Sequence, residues 1–387
     1  MKKAILMFFA LTLCIIVKAQ QNTGYKQGQF ISPVVAGSAV TFKLYAPHAQ
    51  QVQVMGDWEA ANGKAAMARD TSGLWTCTIS NLPSDIYYYR FIVDEVPMLD
   101  PSNAFQKRDV GTLFSIFIIG GGKGDFYSVA DVPHGNVIRS WYYSETFKAD
   151  RRLTIYTPPG YGKGKYPVLY LLHGSGGDEE AWITTGSVER IMDNLIAQGK
   201  AVPMIVVMPN GNPSKTAAPG ESKDNLGYRP AMSNNFPGYK DGSYESAFKE
   251  IVAFTDAHYA TKPEKSQRAI AGLSMGGFHS LFISAGFPDT FDYVGLFSPG
   301  INFSTLNMNH AEYANLNDKL IQQKKSGVKL YWIGIGSADG LLPAVKSYRN
   351  KLDSLAFPYT YVESTRGHLW TNWRSYMLEF VPQLFKK

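Results

Sequence analysis

The sequence predicts two domains, a small all-β domain followed by a larger α/β domain. Between Ser32 and Gly120, apolar and polar residues alternate with a period of two and turn residues interrupt the alternation, which is typical of short antiparallel strands. After His134, short apolar runs alternate with segments of helical periodicity, which is typical of strand–helix–strand units. With 387 residues and 45% hydrophobic side chains, the chain is long enough for two hydrophobic cores.

The first 19 residues, Met1 to Ala19, have the pattern of a signal peptide. Two lysines precede an apolar stretch from Ala4 to Val17, and small residues that suit signal peptidase follow it. The stretch is too short for a stable membrane span, and the residue before Cys14 does not suit a lipoprotein cleavage box. We therefore expect export to the periplasm or the outside without a membrane anchor. Cys77 would then be the one remaining cysteine, so no intramolecular disulfide is expected.

Five segments within residues 27–120 are predicted as strands and indicate an Ig-like β-sandwich. They are Val40–Tyr45, Val52–Gly56, Leu74–Ile79, Ile86–Val93 and Thr112–Phe117. The glycine-rich segment that follows is predicted as a linker over residues 121–133, and the α/β domain is predicted over residues 134–387. The glycines do not indicate a phosphate-binding loop, because no strand and helix frame them.

The segment Gly272–Gly277 has the pattern of a nucleophile elbow. It follows the apolar segment Arg268–Ala271 and precedes an amphipathic helical segment. In a G-x-S-x-G turn between a strand and a helix, the serine occupies a strained bend that exposes its hydroxyl. The bare pattern occurs by chance in many long chains, but the strand before it and the helix after it favour a catalytic role. Ser274 is therefore the predicted nucleophile.

A serine nucleophile needs a histidine base and an acid that orients the base. Asp339 follows the predicted strand Val328–Gly336, and His368 follows the predicted strand Tyr359–Glu363. Because functional groups of open α/β sheets collect at the carboxyl ends of the strands, these residues can converge with Ser274. The other histidines and acids considered are interpreted as packing, turn or surface residues: His258, His279, His310, Asp289, Asp292 and Asp353.

An oxyanion hole needs two preorganised N–H donors. The expected donors are the backbone N–H groups of Met275, directly after the nucleophile, and of Ser175, in the glycine-rich loop after an apolar strand. His173, at the start of that loop, is expected to brace it. Trp182 and Trp370 are candidate walls of a substrate pocket, although helix packing against the sheet explains them equally well.

These motifs in combination resemble the esterase D group of α/β-hydrolases, and within it the bacterial feruloyl and acetyl xylan esterases of carbohydrate esterase family one. The resemblance covers about two thirds of the chain, from His134 to the end, and rests on Tyr156–Tyr161, Tyr166–Gly177, Gly272–Gly277, Gly367-His368, Trp370 and Trp373-Arg374. It implies an α/β-hydrolase fold with Ser274 as nucleophile, Asp339 as acid and His368 as base. The insertion from Asn212 to Asp241 matches no motif of a substrate class.

The N-terminal domain resembles the N-terminal module of isoamylases and glycogen-branching enzymes. The matching segments are Tyr45-Ala46-Pro47, Gly56-Asp57-Trp58, Gly73-Leu74-Trp75, Tyr87–Asp94 and Leu99-Asp100-Pro101. Such modules sometimes bind glucans and often only pack against the catalytic domain. Trp58 could stack on a sugar, but aromatic residues of sandwich strands more often belong to the core, so the packing role is favoured.

The resemblance implies a serine esterase that removes feruloyl groups from plant xylan or arabinoxylan, and the predicted signal peptide implies that it is secreted. The alternatives are an acetyl xylan esterase, an enzyme with both activities, acyl transfer to an alcohol, and a non-catalytic carbohydrate-binding protein with a degenerate hydrolase domain. The expected partners are polysaccharide or oligosaccharide esters of the plant cell wall. The sequence does not indicate an oligomeric state.

Composition and motif spacing limit the other function classes. The formal net charge is +6, and removal of Met1–Ala19 leaves 35 basic against 32 acidic residues, a formal charge of +3. This balance gives no indication of nucleic-acid binding. The sequence contains no HExxH motif and no paired CxxC motifs, so we expect no metal and no cofactor.

Overall fold

A computed structural model describes residues 30–222, 240–301 and 310–386 and shows the two predicted domains, an all-β sandwich and an α/β domain. The predicted signal peptide, Met1–Ala19, lies outside the described residues, as do residues 223–239 of the 212–241 insertion. Within the described part of the chain, no helix is both long and apolar enough to cross a membrane.

The N-terminal domain packs two antiparallel sheets face to face. Its strands are β1 (Val34–Ala36), β2 (Ala39–Tyr45), β3 (Val52–Gly56), β4 (Lys64–Ala66), β5 (Ala68–Arg69), β6 (Leu74–Ile79), β7 (Asp85–Val93), β8 (Val96–Met98), β9 (Gln106–Asp109) and β10 (Thr112–Ile119). One sheet has the order β1-β2-β6-β5, and the other has the order β4-β3-β7-β10-β9 with β8 paired to β7. In β2, Val40, Phe42 and Leu44 point into the core, as the period of two predicts.

Trp58 belongs to the core of this sandwich. Its side chain is 3% exposed, and its ring centroid lies 5.8 Å from that of Phe42. The packing role that we expected for Trp58 agrees with this position, since a buried indole offers no face to a sugar in solution.

The α/β domain is built on an eight-stranded sheet of order β11-β12-β14-β13-β15-β16-β17-β18. The strands are β11 (Asn136–Ser144), β12 (Ala149–Thr157), β13 (Val168–Leu172), β14 (Ile205–Pro209), β15 (Arg268–Leu273), β16 (Tyr293–Phe297), β17 (Leu330–Gly336) and β18 (Thr360–Ser364). The first two strands are antiparallel to their neighbours, and the six from β14 to β18 are parallel. The central parallel strands are continuous buried apolar runs because helices cover both faces of the sheet.

The helices are α1 (Lys123–Tyr127), α2 (Ala181–Thr184), α3 (Val188–Ala197), α4 (Ser243–His258), α5 (Met275–Gly286), α6 (Leu316–Ser326), α7 (Leu342–Ser354) and α8 (Trp370–Phe380). The predicted linker, residues 121–133, contains α1 and is packed. Tyr127 of α1 is fully buried, and the Asn194 side chain of α3 donates hydrogen bonds to the carbonyls of Phe126 and Ser128 at 3.1 and 3.0 Å. The segment therefore fixes the two domains to each other.

One buried hydrophobic cluster joins the two domains. Ile86, Tyr88 and Ile116 of the sandwich belong to the same buried cluster as α3 and α8. At the centre of this contact, the guanidinium of Arg374 is fully buried and donates to Asp85 Oδ1 at 3.1 Å and to the Ile86 carbonyl at 3.2 Å. The sandwich is therefore an integral part of the fold.

We expect Arg374→Met to lower the free energy of unfolding by about 3–5 kcal/mol, because it leaves the Asp85 carboxylate buried without its cation. Denaturant unfolding followed by tryptophan fluorescence measures the change. The double variant Arg374→Met/Asp85→Asn should regain part of the loss. Lys325→Met, an exposed change on α6, should stay within about 0.5 kcal/mol of the parent. A single variant at Arg374 as stable as this control would contradict the expectation.

Candidate active site

Ser274 occupies a strained turn between β15 and α5. Its backbone angles are φ 54° and ψ −113°, a conformation that costs a non-glycine residue about 1–3 kcal/mol. Two backbone hydrogen bonds hold it, from the Ser274 N–H to the Phe297 carbonyl at 2.9 Å and from the Gly300 N–H to the Ser274 carbonyl at 2.8 Å. The turn thus has the strained conformation that the sequence predicts for a nucleophile elbow.

The glycines beside Ser274 are required by close backbone contacts. A Cβ atom on Gly272 would lie 2.4 Å from the carbonyl carbon of Gly276. A Cβ atom on Gly276 would lie 2.4 Å from the carbonyl oxygen of Leu172, the last residue of β13. The start of α5 therefore packs so closely against the end of β13 that no side chain fits at Gly276.

We expect Gly276→Ala to lower kcat/KM by about 10²-fold, because the helix start must move away from the β13 loop and a displacement of about 1 Å in an active site has that cost. Steady-state kinetics of the purified variant measure the loss. Gly286→Ala is the matched control, since Gly286 ends the same helix and a Cβ atom there meets nothing within 4 Å. Equal activity of the two variants would show that this close contact does not matter for catalysis.

Asp339 and His368 lie on loops after β17 and β18 and form a hydrogen-bonded pair. The Nδ1–H of His368 donates to Asp339 Oδ2 at 2.9 Å, and the Leu341 N–H donates to Asp339 Oδ1 at 2.9 Å. The Asp339 side chain is fully buried, and that of His368 is partly exposed. Burial raises the pKa of Asp339, but the hydrogen bonds from His368 and Leu341 outweigh burial and hold this pKa below its ordinary value. The carboxylate therefore stays charged and fixes the imidazole tautomer.

Ser274 and His368 line the same cavity, which has a volume of about 270 Å³. Since Nδ1 of His368 is bound to Asp339, Nε2 is the ring nitrogen that the predicted role as base requires. Of the described residues that line this cavity, His368 is the only histidine. The structure thus brings together the three residues predicted as nucleophile, base and acid.

The histidines that the sequence analysis interprets as packing or surface residues make contacts away from the cavity lined by Ser274. His279 is buried and pairs with Glu245 at 2.7 Å, and His310 pairs with Glu312 at 2.7 Å. His258 contacts the carbonyl of Phe254 within its own helix.

The loop after β13 carries the second expected oxyanion donor. His173 is buried, with Nδ1–H donating to the Gly174 carbonyl at 2.7 Å and Nε2 accepting from the Gly211 N–H at 2.8 Å. Burial lowers the pKa of His173 to about 4, so the imidazole is neutral and braces the loop. Ser175 lines the cavity, and Met275 begins α5, where backbone N–H groups have no partner within the helix. Their role as oxyanion donors stays a prediction.

Three tryptophans form a contiguous aromatic cluster beside Ser274. Trp370 and Trp373 line the cavity, and their ring centroids are 5.2 Å apart. Trp182 is 1% exposed, donates its indole N–H to the Leu172 carbonyl at 3.0 Å and meets Trp370 edge to face. This placement gives Trp182 a supporting role behind Trp370. The sequence did not single out Trp373 as a wall residue, since its helical context alone indicates packing.

The cavity also contains two residues of the N-terminal domain. Asp109 and Val110, at the turn between β9 and β10, line it together with residues of the α/β domain. The indole N–H of Trp370 donates to Asp109 Oδ1 at 3.1 Å. Sequence reasoning missed both residues, because β9 consists of the polar residues Gln106–Asp109 and shows no strand pattern.

Each of the two domains matches the model of a known protein family. The family model described as "Putative esterase" matches residues 144–384, more than half of the chain. The chain belongs to this esterase family. A second model, carbohydrate-binding module 48 (isoamylase N-terminal domain), matches residues 29–103. Both resemblances seen in the sequence are thereby confirmed.

The relatives of this esterase include a protein of Xylanibacter ruminicola named endo-1,4-beta-xylanase/feruloyl esterase. It is 29% identical over 386 residues, which cover 94% of this chain and 47% of that protein. The chain spans about half the length of the curated relatives it matches.

Solved structures show the same fold at low sequence identity. A ferulic acid esterase of Anaeromyces mucronatus, in complex with ferulic acid, has a TM-score of 0.55 and 24% identity, covering 67% of this chain and 94% of that chain. The enterobactin esterase of Shigella flexneri has a TM-score of 0.61 and 16% identity, covering 90% of this chain and 93% of that one. The second match extends over most of both domains of the esterase.

Proposed function

We propose that this esterase hydrolyses feruloyl esters on xylan or arabinoxylan side chains. The observation that carries the proposal is a cavity lined by Ser274, His368, Trp370 and Trp373, with the buried Asp339 hydrogen-bonded to His368. An aromatic wall suits a planar acyl ring, since stacked and edge-to-face ring contacts stabilise beyond buried area alone. The Xylanibacter ruminicola relative, which is named endo-1,4-beta-xylanase/feruloyl esterase, supports this substrate class.

The proposed mechanism assigns one role to each of the three side chains. Ser274 Oγ attacks the ester carbonyl while His368 Nε2 takes its proton, and Asp339 stabilises the resulting imidazolium. The negative charge on the carbonyl oxygen is received by the N–H groups of Met275 and Ser175. Collapse of this intermediate breaks the bond to the sugar oxygen, which takes the proton from His368. Water, activated by the same histidine, then releases the acid from Ser274.

The size and lining of the cavity support the feruloyl alternative over the acetyl alternative. A volume of about 270 Å³ holds one planar ring with its side chain, whereas an acetyl group would leave most of the aromatic wall without contact. We therefore propose that the acyl group occupies this cavity and that the sugar stays outside it. Acetyl release from xylan, as a sole or an additional activity, is the runner-up.

The test compares the purified protein with a Ser274→Ala control on methyl ferulate and on acetylated xylan, with the released acid quantified. Ferulate release that depends on Ser274 supports the proposal. Release of acetate alone would assign the esterase to xylan deacetylation, and release of neither acid would favour a non-catalytic carbohydrate-binding protein. Addition of an alcohol acceptor to the same assay detects acyl transfer as an ester product.

We also propose export as the setting of this activity. The pattern of Met1–Ala19, with two lysines before an apolar stretch, supports transport to the periplasm or the outside, where esters of the plant cell wall would be met. Fractionation of expressing cells, with N-terminal sequencing of the exported chain, tests this. A chain that stays in the cytoplasm with Met1 intact would contradict it.

A further inference from the structure

The turn between β9 and β10 has an unusual conformation. Asp109 pairs with Thr112, so Val110 and Gly111 form a two-residue hairpin turn, and Val110 has φ 53°. A β-branched residue rarely adopts a positive φ, and such strain persists only where the surrounding structure holds it. The module family model ends its match at residue 103, so this hairpin lies after the matched segment.

Three contacts hold the hairpin tip against the catalytic domain. The Arg108 guanidinium donates to Asp178 Oδ2 at 2.7 Å, and the Thr185 hydroxyl donates to the Arg108 carbonyl at 2.9 Å. The Trp370 indole donates to Asp109 Oδ1 at 3.1 Å. Since these partners follow the oxyanion loop and His368 in the chain, the tip is fixed to the segments that form the catalytic cavity.

Asp109 is chemically distinct within the cavity. Of the described residues that line it, Asp109 and His368 are the only ones with an acidic or basic side chain. The others offer apolar side chains, two serine hydroxyls, the indole N–H groups of two tryptophans, or backbone groups. Among the described residues, the Asp109 side chain accepts a hydrogen bond only from Trp370, so Oδ2 is left for a ligand. Burial raises the pKa of Asp109, because the charged carboxylate is removed from water. A hydrogen bond donated by a ligand would stabilise this carboxylate. A feruloyl group carries one suitable donor, its phenolic hydroxyl.

We propose that Asp109, supplied by the N-terminal domain, recognises the phenolic hydroxyl of the acyl group, with Val110 closing the wall beside it. This inference rests on the proposed feruloyl esterase function. It gives the sandwich a role in substrate selection. A cavity that hydrogen-bonds a hydroxyl rejects an analogue without it, because the buried acceptor is then left without its donor.

The test compares kcat/KM for methyl p-coumarate, which has the phenolic hydroxyl, with that for methyl cinnamate, which lacks it. We expect the parent to prefer the hydroxylated ester by about 10- to 100-fold, as one hydrogen bond to a charged group allows. Asp109→Ala should bring this ratio close to one. Asp109→Asn keeps the size of the side chain and an acceptor for Trp370, and it should give an intermediate ratio.

A purely structural role of Asp109 would produce a different result. If Asp109 only supports Trp370, its loss lowers turnover of both esters together. Trp370→Phe shows this pattern in our expectation: turnover of both esters falls, and the ratio of kcat/KM for the two esters stays near that of the parent. An unchanged ratio in both Asp109 variants would overturn the inference. Turnover of both esters by the parent with a ratio near one would also overturn it while leaving the esterase function standing, whereas turnover of neither ester would overturn both.

Discussion

Ser274→Ala is expected to lower kcat for ester hydrolysis by about 10⁶-fold, because the hydroxyl that forms the acyl-enzyme is lost and only binding and oxyanion stabilisation remain. The strained turn at φ 54° places Ser274 at the cavity that His368 also lines. Steady-state hydrolysis of methyl ferulate measures the loss. A fluorophosphonate probe gives an independent readout, since it labels an activated serine: the parent should label and the variant should not.

Ser175→Ala is the matched control for this prediction. Both serines line the cavity, but the expected contribution of Ser175 is its backbone N–H, which alanine retains. The control should therefore keep its activity within a few-fold of the parent. If Ser175→Ala were inactive and Ser274→Ala active, Ser175 in the oxyanion loop would have to be the nucleophile. A parent protein that does not label would favour the degenerate-hydrolase alternative.

The fold class could be predicted from local patterns, but several strands could not. Sandwich strands such as Ala39–Tyr45 alternate cleanly, so their period of two is visible in the sequence. Strand β12 contains Arg152, whose side chain is buried because it pairs with Glu179 and Glu180 at 2.6 and 2.9 Å. Those partners lie on a distant loop, and a charged residue without visible partners gives no indication of a buried strand.

The positions of the three candidate catalytic residues could be predicted because each belongs to a short motif at the end of a strand. Ser274 follows β15, Asp339 follows β17 and His368 follows β18, and these strands are parallel. Their carboxyl ends therefore lie at one edge of the sheet. Asp109 and Val110 reach the same cavity from the other domain, across a packed core that includes Tyr88 and Arg374. Such a contact depends on how two domains pack, and no local pattern encodes it.

Asp339→Asn is expected to lower kcat by about 10⁴-fold with little change in the fold. The carboxylate accepts from two donors, the Leu341 N–H at Oδ1 and His368 Nδ1–H at Oδ2. An asparagine can keep its oxygen on Leu341, but its NH₂ group then faces Nδ1 of His368 and donates to it. The imidazole must carry its proton on Nε2, the nitrogen that has to accept the proton of Ser274. The base is lost although the side chain still fits.

Steady-state kinetics on methyl ferulate and the rate of fluorophosphonate labelling should fall together in Asp339→Asn, because both depend on deprotonation of Ser274. Asp353→Asn is the appropriate control: Asp353 was the alternative acid on α7, is exposed, and accepts a hydrogen bond from the Tyr359 hydroxyl at 2.9 Å. It should leave both rates unchanged. If Asp339→Asn kept full activity with an unaltered thermal unfolding midpoint, the tautomer argument would fail and His368 would have to be oriented by another group.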